Sequence, residues 1–172
     1  IPDQELALLN LGNEIPAATE SNDRLIVDAR MTFQTFGDDP LIQKAIPEIQ
    51  AYNELIASWP IRTRATLGGN ICNASPIADM TCLLLALDSE LQLGEGDAAR
   101  SLALKEFFQG YKQLAKTEDE VIESISFSKP TASTRVNWEK VSKRAILDIA
   151  TVNSAARFEV EENRILEGHL AM

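Results

Sequence analysis

Apolar positions along this chain follow two periods. Leu6 to Leu11 is a short apolar run that leads into polar, turn-rich Asn13 to Asp23. Leu25-Ile26-Val27 has the composition of a strand, and Met31 to Phe36 is rich in β-formers and ends at Gly37. The period then changes. Asp39-Pro40 opens a helix in which Leu41, Ile42, Ala45, Ile46 and Ile49 recur at helical spacing. Pro47 should break it, and a second helix from Pro47 or Glu48 carries Ile49, Tyr52, Leu55 and Ile56 on one face. Ala78 to Leu87 is apolar nearly all round, the mark of a buried helix. Glu90 to Leu93 fits a short strand, with a turn at Gly94-Glu95-Gly96-Asp97. Leu104 to Phe108 is a helical turn that ends near Gly110.

Alternation takes over in the second half. Val121, Glu123, Ile125 and Phe127 fall on one side of a half-buried strand, and Val136 to Val141 forms another. Ile149 to Val160 fits either period, and Arg164 to Leu170 reads as a final strand. Helices come first and strands follow, which predicts an α+β fold rather than a parallel βαβ array.

The charge balance narrows the partners. With 16 Lys+Arg against 26 Asp+Glu, the formal charge is −10, which argues against nucleic acid or an anionic membrane surface. Basic residues gather only at Arg62 to Arg64 and Lys140 to Arg144, and a locally positive pocket suits a small anionic ligand. No apolar run approaches the roughly 20 residues that span a bilayer. The opening Ile1-Pro2-Asp3-Gln4-Glu5 matches neither a signal nor a transit peptide. Cys72 and Cys82 could form one disulfide; free thiols in a reducing cytosol are the favoured reading. His169 is the only histidine, so no zinc site and no Ser/His/Asp or Cys/His set is expected.

The chemistry concentrates in Ala65-Thr66-Leu67-Gly68-Gly69-Asn70-Ile71-Cys72-Asn73-Ala74-Ser75-Pro76-Ile77-Ala78-Asp79. Gly68-Gly69 can be a tight turn, or a place where backbone comes close to a phosphate. It matches neither a Rossmann turn nor a phosphate loop of the GxxxxGK[ST] type. Thr66, Asn70, Asn73 and Ser75 add hydroxyl and amide groups, and backbone N–H groups are expected to be available beside them. Asp79 is open to two readings, a helix cap or an acceptor for sugar hydroxyls.

This block, with the LLLALDSELQL that follows, resembles the FAD-binding domain of the xanthine dehydrogenase and xanthine oxidase family of molybdenum hydroxylases. The family pattern is close to S/T-x-G-G-N-I, then A-S-P-I-S-D and an apolar helix. Phe107-Phe108-Gln109-Gly110-Tyr111-Lys112 is similar to its FF-x-GY-R/K segment. Lys140-Val141-Ser142-Lys143-Arg144, with Asp148-Ile149-Ala150, is similar to its K-x-S-R-R…D-I-A segment. The three matches run in order over roughly residues 25 to 170.

The resemblance implies a fold and roles that spacing does not. The fold would be the second lobe of the FAD-binding domain shared with the vanillyl-alcohol-oxidase type, a small antiparallel sheet with helices packed on it. Residues 1–24 would be a remnant of the first lobe, and 25–172 the second lobe. Thr66, Gly68, Gly69 and Asn70 would line the FAD diphosphate, with Asn73 nearby. Asp79 would hold hydroxyls of the cofactor's sugar chain. Ile56, Ala57 and Ile122 would pack around the cofactor, Lys140 would touch it from the other side, and the Lys143–Ile149 loop would lie near the flavin ring. No catalytic acid or base is implied. The V-x-G-G-T-D-like loop of the family's first lobe has no counterpart here, so the chain resembles a fragment, inactive alone.

The implied function is electron transfer within a cytoplasmic oxidoreductase. Iron–sulfur and molybdopterin-binding domains or subunits would pass electrons through FAD to NAD+ or oxygen. Two other readings remain: a cofactor-free structural or interaction subdomain, and the FAD module of a flavoprotein outside the molybdenum group.

Overall fold

A computed structural model of the chain describes residues 16–95 and 98–172. The apolar run at Leu6 to Leu11 lies outside the described residues, as does the centre of the expected turn, Gly96-Asp97.

Strands β1 (Ala18–Ser21) and β2 (Arg24–Asp28) form an antiparallel hairpin. Ala18 N also donates to Asp39 Oδ2 at 3.0 Å. β1 therefore spans part of the stretch expected as a first-lobe remnant and shares a sheet with β2.

Met31 to Phe36 departs from its β-rich composition and enters helix α1 (Phe33–Asp38). The Thr32 side chain accepts from Thr35 N at 3.0 Å, and Phe33, Phe36 and Gly37 are buried on one face. A cap and a core-facing stripe outweigh β-propensity in so short a segment. Asp39 then caps α2 (Pro40–Ala45) by accepting from Leu41 N and Ile42 N, with Pro40 in the first turn. The break at Pro47 separates α2 from α3 (Ile49–Leu55), as its missing N–H requires. After α3 come α4 (Trp59–Arg62), α5 (Leu67–Asn73) and α6 (Asp79–Ala86).

The chain then forms β3 (Glu90–Glu95), β4 (Ala98–Ala103), α7 (Leu104–Phe107) and the small hairpin β5 (Phe108–Gly110) with β6 (Gln113–Leu114). β7 (Val121–Ser128) returns through the first sheet, whose order is β1-β2-β7-β3-β4, all antiparallel. A register shift opposite Gln92 and Leu93 leaves Glu123 unpaired with β3. The side-chain alternation expected along β7 changes phase there: Ile125 and Phe127 are buried, Val121 is exposed, and Ile122 packs against the core.

β8 (Thr134–Val141), β9 (Val152–Glu161) and β10 (Arg164–Ala171) form a second antiparallel sheet, order β10-β9-β8. The ambiguous stretch after Ile149 is therefore a strand. Helix α6 packs on β9 and β10 of the second sheet and also meets α5 and α7. It buries Met80, Thr81, Cys82, Leu83, Leu84 and Ala86, so its apolar surround has a partner on each side. Trp138 and Ala155 close the core from the second sheet, with the Trp138 ring 5.6 Å from that of Tyr52. Both cysteines are free, and burial pushes the Cys82 thiol up to about 11. Among the described residues, no helix is long and apolar enough to cross a membrane.

An ion pair ties the open side of the first sheet to the loop before β7. Arg100 on β4 donates to both Glu120 oxygens, at 2.6 and 3.0 Å, and Thr117 N donates to Oε2 at 2.8 Å. The Arg100 bond first, then the Thr117 N–H, hold the Glu120 carboxyl down from 4.5 to about 2. A lowered carboxyl stabilises the fold above its unfolded pKa and loses that stabilisation as pH falls through its folded one. Arg100→Met is expected to flatten the loss of stability between pH 4.5 and about 2, read as urea midpoints across that range. An unchanged acid limb in Arg100→Met would show that the pair contributes nothing there.

Candidate functional site

Leu67–Asn73 of the glycine block is helical where a turn or loop was expected. Thr66 starts α5, its side chain accepting from Gly69 N at 3.1 Å, and Ala74 ends it in the left-handed region at φ 47° just before Ser75-Pro76. The helical period sorts the predicted residues into two groups. Leu67, Gly68 and Ile71 are buried, whereas Thr66, Gly69, Asn70 and Asn73, at i, i+3, i+4 and i+7, share the outer face.

The two glycines consequently do different work. A Cβ on Gly68 would lie 2.9 Å from Ala29 Cβ and 3.1 Å from Ala29 O, so its bare Cα lets α5 rest on the chain leaving β2. On Gly69 a Cβ would meet only Thr66 Oγ1, at 2.8 Å, and otherwise project from the helix.

The expectation of available backbone N–H groups is corrected by the structure. Leu67 N donates to Met31 O at 2.9 Å, Gly68 N to Ala29 O at 2.8 Å, Gly69 N to the Thr66 hydroxyl and Asn70 N to Thr66 O at 3.0 Å. The segment before α1 satisfies donors that a helix start usually leaves free. The outer face therefore offers side chains: the Thr66 hydroxyl proton and the Asn70 amide, whose Oδ1 accepts from Thr81 at 3.0 Å. Asn73, at the helix end, receives the Lys112 ammonium on its carbonyl oxygen.

Asp79 is the first residue of α6, yet its side chain makes no cap; Ala78 occupies the cap position. Its Oδ2 accepts from Lys140 Nζ at 2.8 Å and its Oδ1 from Asn153 Nδ2 at 2.7 Å. Lys140 Nζ also donates to Leu55 O at 3.0 Å. The two charged side chains are 4% and 10% exposed, for Lys140 and Asp79 respectively. This cluster gathers the end of α3, the start of α6 and both β8 and β9. A carboxylate with one donor on each oxygen keeps acceptor capacity for hydroxyl groups.

Ile56 and Ala57 follow directly. Ile56 is buried at the end of α3, and its carbonyl accepts from Arg62 Nη1 at 3.0 Å. Ala57 sits at φ 50° and lines a cleft of about 440 Å3 with Ser58, Ile61, Arg144, Leu147, Asp148 and Ile149. The Lys143–Ile149 loop thus faces the α3–α4 connection across an apolar gap. It is pinned by Asp148, which accepts from Arg144 N at 3.0 Å, and that bond leads the interactions holding its carboxyl below the ordinary value. Ile122, on β7, packs against the core, and among the described residues no side-chain hydrogen bond links it to the rest of the set. Asn153, Thr81, Arg62 and Lys112 were not singled out in the sequence for these contacts. Only Lys112 fell inside a motif.

These arrangements carry a familial match. The family profile described as FAD binding domain in molybdopterin dehydrogenase matches residues 9–130. The chain belongs to this FAD-binding domain family. The carbon monoxide dehydrogenase medium chain of Afipia carboxidovorans is 30% identical over 154 residues, 90% of this chain and 53% of that protein. The xanthine dehydrogenase FAD-binding subunit of Escherichia coli O157:H7 is 28% identical over 148 residues, 86% and 51%. The chain therefore spans about half the length of the curated relatives it matches. Carbon monoxide dehydrogenase from Hydrogenophaga pseudoflava has the same fold, with a TM-score of 0.83 at 23% identity over 90% of this chain and 53% of that one. Quinoline 2-oxidoreductase from Pseudomonas putida 86 does too, with a TM-score of 0.78 at 23% identity over 89% and 53%. The antiparallel α+β architecture is thus shared with both of these structures.

Proposed function

We propose that this chain forms one wall of the FAD site of a molybdopterin-dependent oxidoreductase. The observation that carries the reading is the outer face of α5, where Thr66, Gly69, Asn70 and Asn73 stand together and Asn70 is bonded to Thr81, two residues after the clasped Asp79. The donor set fits the cofactor. The Thr66 hydroxyl and Asn70 amide would donate to the diphosphate, and the bare Gly69 would let it lie close to the helix. Asp79 would accept from sugar hydroxyls. Ile56, Ala57 and Ile122 would supply apolar surface, and Lys140 would hold the Asp79 side chain in place. Gly68 belongs to the site indirectly, by seating α5 on Ala29.

Bound FAD supplies the electron-transfer chemistry, and the protein's part is to bind and orient it. The chain's own residues need move no proton. Partners follow from the relatives, whose names describe subunits of dehydrogenases. Iron–sulfur and molybdopterin domains or subunits would deliver electrons, NAD+ or oxygen would take them, and the assembly would work in the cytoplasm. In this reading residues 25–172 make up the second FAD lobe, with the preceding residues belonging to the first.

The test is flavin absorbance and fluorescence of the purified protein. Gly69→Val and Asp79→Ala are each expected to lose stoichiometric FAD while remaining folded. Retention of FAD by both would overturn the site. A second reading, a cofactor-free interaction subdomain, is favoured by the full engagement of the α5 first-turn N–H groups. Protein that stays colourless after soaking with FAD would support it.

A further inference from the structure

Asp79 is held by two side chains that are neighbours on adjacent strands. Lys140 on β8 and Asn153 on β9 are directly opposite in the sheet, and both reach the same carboxylate, one to each oxygen. Among the described residues, no other hydrogen bond reaches this side chain. The two donors are unlike. A lysine ammonium is a compact charge with rotatable donors on a flexible stem, so it attracts a carboxylate without fixing its plane. The torsion that turns an aspartate carboxylate is broad and roughly two-fold. A planar amide bonded to the second oxygen at 2.7 Å sets that torsion. No motif of the chain includes Asn153, which lies 74 residues from Asp79.

We propose that Asn153 is a positioning residue of the cofactor site: its amide fixes the Asp79 carboxylate so that the remaining acceptor positions meet sugar hydroxyls of the bound dinucleotide. This rests on the reading above that Asp79 accepts from those hydroxyls. Asn153 is only partly buried and borders two clefts, one of about 250 Å3 with Cys82 and Phe108, the other of about 210 Å3 with Ile77 and Val152. A side chain in that setting can be changed without opening the core.

The experiment measures FAD dissociation constants and Tm for Asn153→Leu, Asp79→Asn and the double variant in the intact protein. FAD is compared with analogues that lack single ribityl or ribose hydroxyls. Asn153→Leu is expected to weaken FAD binding about tenfold or more, the scale of a hydrogen bond to a charged group, with a modest fall in Tm from the donor that Asp79 loses. The double variant should bind no more weakly than Asp79→Asn alone. For one analogue, the penalties of both single variants should vanish together. A merely structural role would leave the two effects additive for every analogue, which would overturn the proposal. If Asp79→Asn weakens FAD binding and Asn153→Leu does not, this inference fails and the site reading stands. If Asp79→Asn leaves FAD affinity unchanged, the site reading itself fails and takes this one with it.

Discussion

Lys140→Met is expected to destabilise the protein by about 3–5 kcal/mol, the usual cost of leaving one charge of a buried pair without its partner. Methionine keeps the length and most of the volume of the lysine stem, so the loss isolates the ammonium. Asp79, 10% exposed, would then have Asn153 as its remaining donor, and Leu55 O would lose its partner. For a chain of this size the change corresponds to a Tm lower by roughly 10 °C, at about 2–4 °C per kcal/mol. Adding Asp79→Asn should recover a large part of the loss, because a neutral amide is far less costly to bury than a carboxylate. Urea unfolding at neutral pH of the two single variants and the double gives the cycle. A Lys140→Met protein as stable as the parent would show that the pair is a passenger. FAD content measured on the same samples separates a stability effect from a binding effect.

Gly68→Val is expected to cost about 3 kcal/mol, at the upper end of what overpacking a well-filled site brings. The added carbons would press on the Ala29 Cβ and carbonyl, and the Gly68 N–H bond to that carbonyl would lengthen. The Ala29 methyl has no rotamer to change and its carbonyl is backbone, so neither can turn away as a longer side chain could. Gly68→Ala gives a smaller loss, since helix propensity returns up to about 1 kcal/mol. Ala29→Gly should partly rescue it by removing the opposing methyl. Gly69→Ala forms the contrast, because its Cβ meets only the Thr66 hydroxyl and leaves the packing of α5 intact. Thermal unfolding of these four variants beside the parent decides the matter. Equal Tm values for Gly68→Val and the parent would show that α5 does not depend on this contact.

Much of the architecture was legible because it is written in short-range pattern. Asp39-Pro40, the Pro47 break, the all-round apolar Ala78 to Leu87 and the alternating strands each encode a local preference within a few residues. Met31 to Phe36 was misleading for the same reason. Its β-forming composition is real, but the Thr32 cap and the buried Phe33 and Phe36 made it helical. The β7 alternation failed at Glu123 because a bulge depends on the register of the partner strand β3, which periodicity does not contain.

The candidate site divides along the same line. That Thr66, Gly69, Asn70 and Asn73 share one face is implicit in their spacing once the segment is known to be helical. That the segment is helical, and that its first-turn N–H groups are consumed, depends on Met31 and Ala29 lying against it. Taken alone, the sequence determined the Asp39-Pro40 helix start, the Pro47 break, the buried α6 and the alternating strands, together with the acidic character and the likeness to the FAD-binding family. The tertiary structure alone decided which glycine packs and which faces outward, and that Asp79 is clasped rather than capping. Its partners are 61 and 74 residues away, and only the packing of α6 against the second sheet brings them within hydrogen-bonding distance.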